Sequence, residues 1–86
     1  MTVREHFFNM LEKVDQTLSE VEEQFEDGLR VGAYDDVAYH EAQLRLEQLN
    51  QELEGIVKSA TPEQKEELER AVRQIRQLEN RMILKR

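Results

Sequence analysis

From Tyr39 to Ala60 the apolar positions run Tyr39, Ala42, Leu46, Leu49, Leu53, Ile56 and Ala60, at steps of three and four. That alternation averages about 3.5 residues, the period of a helix that lays one apolar seam against partner helices. The stretch before it repeats the pattern with Phe7, Leu11, Val14, Leu18, Val21 and Phe25. The stretch after it does so with Leu68, Ala71, Ile75, Leu78 and Met82. Three helices are predicted, over residues 3–31, 36–59 and 62–84.

Local signals set their ends. Thr2 and Glu5 have the spacing of a capping box, in which a side chain and a backbone N–H satisfy each other in both directions. The first helix is predicted to pass through Gly28, although a mid-helix glycine costs about 1 kcal/mol relative to alanine. Gly32 then stands where a left-handed C-cap is needed. The connection Gly32-Ala33-Tyr34-Asp35-Asp36 is short, so the second helix turns back on the first. Asp35 or Asp36 caps it. At the second connection Thr61 is an N-cap and Pro62 a first helical residue with no N–H to lose. Gln64 completes a second capping box, and the proline stops the preceding helix before Thr61.

Three seams and two short connections predict an all-α fold, an up-down-up antiparallel three-helix bundle in a single domain over 1–86. The alternative is a helical hairpin dimerising into a larger bundle, which the same heptads would serve.

Composition narrows the function more than the fold. The chain has 86 residues, and at that length the core is thin and leaves little room for a deep substrate cavity. It has no cysteine, hence no disulfide, thiolate metal site or cysteine nucleophile. No run approaches the roughly 18 apolar residues of a membrane span, and the start is polar rather than signal-like. A cytoplasmic setting is the expectation.

Charge is unevenly spread. Residues 1–31 carry −5, residues 32–60 carry −4 and residues 61–86 carry +2, within a total of −7. An acidic whole argues against nonspecific nucleic-acid binding, which needs Lys and Arg on phosphates. The third helix puts its acids first and its bases last, which suits its dipole. Glu66–Arg70 and Glu69–Arg73 have the spacing of favourable i,i+4 pairs. Its bases, Arg70, Arg73, Arg76, Arg81, Lys85 and Arg86, are expected to face acids of the other two helices.

No chemistry-bearing constellation emerges. His6 and His40 lack a second ligand at a metal spacing and read as surface residues. The seams are apolar, so no carboxylate set points inward. There is no phosphate loop, nucleophile elbow or calcium loop. The expectation is a protein that is not an enzyme and needs no cofactor or metal.

Some apolar residues lie off the seams. Val37 and Leu44 are seven apart on the back of the second helix. In an up-down-up bundle they share one end of the molecule with Leu29, Val31, Ile83 and Leu84, and with Tyr34 in the loop. These seven residues are the candidate interaction surface. The expected function is protein–protein contact or self-association, with a protein partner or a homodimer and neither nucleic acid nor membrane. The alternative is an acidic helical regulator, or an export-chaperone-like binder of a basic partner.

Residues 22–47 and 59–84 also carry a resemblance. Its features are Glu22-Glu23-Gln24, Tyr34, Asp36, Tyr39, Ala42-Gln43, Leu46-Glu47, Gln64, Glu66, Leu68, Arg70, Gln74, Leu78, Asn80 and the ending Met82-Ile83-Leu84. In this order and spacing the chain resembles the YtzC-like family of small uncharacterised proteins of Bacillus-type bacteria. Gly28 departs from that family's pattern, which places a better helix former there. The resemblance implies an origin and a cytoplasmic setting, and no reaction or catalytic residue.

Overall fold

The computed structural model describes residues 3–32 and 36–85, with side chains described for 4–32 and 36–84. The elements are α1 (Val3–Val31), α2 (Asp36–Val57) and α3 (Pro62–Lys85). Each helix packs against both others within the one chain, which is the three-helix bundle rather than the open hairpin.

Two ion pairs fix the register of α1 against α2. Lys13 Nζ reaches Glu52 at 2.9 Å, and Arg45 reaches Glu20 at 2.8 Å. Seven residues forward on α1 match seven residues back on α2, which is the signature of an antiparallel pair held in step over two turns. On the other side α1 and α3 run parallel. Arg81 spans two carboxylates one turn apart on α1, Glu22 at 3.0 Å and Glu26. These are the cross-helix partners expected for the basic end of α3. Arg70, Arg73 and Arg76 do not share that role, because none is within 4 Å of a carboxylate among the described residues. The expected Glu66–Arg70 and Glu69–Arg73 pairs therefore stay open.

Among the described residues the core takes five side chains from each helix. α1 gives Phe7, Met10, Val14, Val21 and Phe25; α2 gives Tyr39, Ala42, Leu46, Leu49 and Leu53; α3 gives Leu68, Ala71, Ile75, Leu78 and Met82. The α2 and α3 seams hold as read, apart from Ile56 and Ala60, which are half-buried. The α1 seam is corrected: Met10 is buried, while Leu11 and Leu18 are only half-buried. A helix wedged between two neighbours buries an arc wider than one seam. Tyr39 keeps its hydroxyl satisfied inside the core, accepting a bond of 3.0 Å from Gln43 Nε2.

The helix ends follow local chemistry. α1 continues through Gly28 to Val31, and Gly32 has φ +70°, the left-handed conformation of a C-cap. Its N–H donates to the Leu29 carbonyl at 3.3 Å. The Thr2–Glu5 box and the choice of Asp35 as cap lie outside the described residues. α2 ends at Val57, two residues before the expected Ser59. There the chain tightens, with Ser59 N–H bonding the Ile56 carbonyl at 3.1 Å and Ala60 N–H the Val57 carbonyl at 3.2 Å. Such three-residue bonds close a helix that is about to turn. At α3 the capping box is complete. Thr61 N–H donates to Gln64 Oε1 at 3.0 Å, and Gln64 N–H donates to Thr61 Oγ1 at 3.2 Å. α3 extends to Lys85, one residue beyond expectation.

Candidate functional site: an apolar end and an open flank

The chain reversals put the end of α1, the start of α2 and the end of α3 together at one end of the bundle. Six of the seven expected surface residues are exposed there, from 38% for Leu29 to 84% for Leu84. Tyr34 lies outside the described residues.

Helical geometry, about 100° per residue, distributes these six around the end. Val37 and Leu44 share the outward back of α2, opposite Leu46. Ile83 is one turn past Glu79, whose carboxyl feels Glu47 of α2, so it lies on the α2 side of α3. Leu84 is seven past Gln77 and Leu29 seven past Glu22, and both Gln77 and Glu22 line the hollow between α1 and α3. Val31 is three turns past Glu20, the partner of Arg45 on α2. The apolar residues form a collar round the end rather than one flat patch.

A hollow lies elsewhere. A groove of about 440 Å³ runs between α1 and α3, with Leu18 and Leu78 on its floor and Asp15, Ser19, Gln74 and Gln77 on its walls. Asp15 and Gln74 also line a second hollow of about 240 Å³, which continues the groove towards Leu11 and Arg70. Phe8, seven residues before Asp15, stands on the same flank and is 53% exposed. Its ring meets Phe7 edge-on at 5.6 Å between centroids, and the Arg4 guanidinium lies 5.8 Å above it. Phe8 was outside the expected surface. The signal for it was present, since two adjacent phenylalanines cannot both point into a helix seam.

Electrostatics are mild. Burial pushes the Glu79 carboxyl above its ordinary range, and the like charge of Glu47 adds to this, while Arg76 opposes it. The two carboxylates raise the Arg81 guanidinium further. Two buried polar atoms, Asn50 Oδ1 and Arg81 Nε, make no hydrogen bond. His6 and His40 are exposed. Among the described residues no three His, Asp or Glu side chains converge as a metal site would require. Among them, too, no helix is long and apolar enough to cross a membrane.

No curated protein and no solved structure matches the chain. A family model does, described as protein of unknown function (DUF2524), and it spans residues 1–84, nearly the full length and all three helices. The chain therefore belongs to the DUF2524 family of proteins of unknown function.

Proposed function

We propose that this protein works by binding another protein through the apolar end of the bundle, and that it catalyses no reaction. The observation that carries the reading is the collar of Leu29, Val31, Val37, Leu44, Ile83 and Leu84, all exposed at one end. Clustered exposed apolar side chains on a small soluble fold are where association removes the most surface from water. A sequence without a phosphate loop, nucleophile elbow or calcium loop supports the same reading. The resemblance to the YtzC-like family of Bacillus-type bacteria, and a sequence without cysteine, support a cytoplasmic setting.

The test compares proteins co-isolated from the native cell with the wild type and with a Val37→Lys/Leu44→Lys variant. Both positions are exposed, so the variant is expected to fold, which a thermal melt checks. The reading expects partners held by the wild type to be lost from the variant. Retention of the same partners by the folded variant contradicts it.

A further inference from the structure

We propose that the α1–α3 flank is where a second copy of this chain docks, side by side and parallel, about a two-fold axis running along the helices. The proposal rests on the groove and on charge order, independently of the apolar end.

The flank has an apolar strip with charged edges. Leu11 and Leu18 are half-buried on it, and Phe8 is exposed at its lower end. The Glu22–Arg81 ion pair sets the level of the two helices, with residues 59 apart in sequence standing side by side. Asp15 and Gln74 obey the same offset and line the same groove. The outer edge of α1 is acidic from Glu12 upward, through Asp15, Glu22, Glu23 and Glu26. At the same levels the edge of α3 carries Arg70, Arg73 and Arg81. Below that level α3 carries Glu63, Glu66 and Glu67, and α1 carries Arg4 beside Glu5.

Two isologous arrangements lay this flank on itself. A two-fold axis across the helices sets α1 on α1, and the acids around Asp15 meet each other. A two-fold axis along the helices sets each α1 edge over the other copy's α3 edge at the same level. Arg4 then meets Glu63 and Glu66, and Glu12 and Asp15 meet Arg70 and Arg73. Unlike charges meet at the level of Glu12, Asp15, Arg70 and Arg73, and like charge directly opposed is what such interfaces reject. Within one chain these groups are unspent, since Glu12, Asp15, Arg70 and Arg73 are exposed and in no ion pair among the described residues. Size also fits. The molecule is 43 Å long, and a flank of that length offers an area on the order of the 800 Å² per partner that stable interfaces bury. The parallel arrangement places both apolar ends on the same side of the dimer.

Sedimentation equilibrium over a concentration series tests this with two charge-reversed variants, Glu12→Lys/Asp15→Lys and Arg70→Glu/Arg73→Glu. The expected result is a wild-type dimer, at least tenfold weaker association for each variant alone, and recovery of the dimer when the two variants are mixed. Phe8→Ser weakens the dimer without touching a charge, and Val37→Lys/Leu44→Lys leaves it unchanged, which separates this face from the apolar end. All of these positions are exposed, and circular dichroism confirms that each variant is folded. A wild type that stays monomeric throughout, folded variants that associate as tightly as the wild type, or a mixture no tighter than its components overturns the proposal.

Discussion

Glu79 of α3 and Glu47 of α2 carry like charge towards one another across the edge where the two helices meet. Partial burial of Glu79 is the larger cause of its raised pKa, the repulsion from Glu47 the next, and Arg76 offsets part of both. A carboxyl whose pKa is higher in the folded state binds more protons there than in the unfolded chain. Its contribution to stability is therefore greatest below the ordinary glutamate range and declines as pH rises through the raised value. Glu79→Gln is expected to raise the melting temperature at pH 7, with the difference from wild type vanishing towards pH 3. Thermal melts across that range check it, and a variant less stable than wild type at pH 7 contradicts it.

The glycines divide by conformation. Gly32 has φ +70°, so any side chain is strained there even though the space is open. Gly32→Ala is expected to cost about 1 kcal/mol. Gly55 sits inside α2 with nothing within 4 Å of an added Cβ. Gly55→Ala is expected to stabilise by about 0.5–1 kcal/mol. Urea unfolding of the two variants measures both signs. Equal effects would mean that backbone conformation does not set the difference.

Arg81 holds Glu22 and Glu26 on α1 from α3, with its Nε buried and unbonded. The pair is open to water and screened by it, so Arg81→Gln is expected to be only mildly destabilising. The loss should shrink in high salt. Chemical denaturation at low and high ionic strength reads both.

Asn50 places Oδ1 in the packed region of α2 without a partner. Asn50→Leu removes an unsatisfied polar atom and adds apolar contact, and is expected to stabilise by about 1 kcal/mol. In a domain of this size that corresponds to roughly 4–8 °C in melting temperature. A destabilised variant would show that the oxygen is satisfied in solution.

Much of the fold was legible because each helix carries its own start and stop chemistry. Thr61, Pro62 and Gln64 mark the start of α3 by local hydrogen bonding alone, and Gly32 marks the end of α1 by its backbone freedom. Ser59 was harder, since its side chain and N–H both turn to the Ile56 carbonyl and end α2 early. Met10 was missed because the heptad was run through Leu11 and Leu18, which lie at the α3 edge of the buried face of α1. The off-seam residues Val37 and Leu44 announced an exposed surface in the sequence. Its collar shape did not, because which flank Leu29, Val31 and Ile83 occupy depends on the packing of all three helices. The α1–α3 groove was hidden for the same reason, as it arises where Asp15, Ser19, Gln74 and Gln77 meet instead of larger apolar side chains.

Carbene footprinting tests the proposed contact surface most directly, comparing the protein in native extract with the purified chain. The account predicts that Leu29, Val31, Val37, Leu44, Ile83 and Leu84 lose labelling in the extract, while exposed positions such as Gln51 and Gly55 on the back of α2 keep theirs. Equal labelling of the apolar end in the two samples would contradict it.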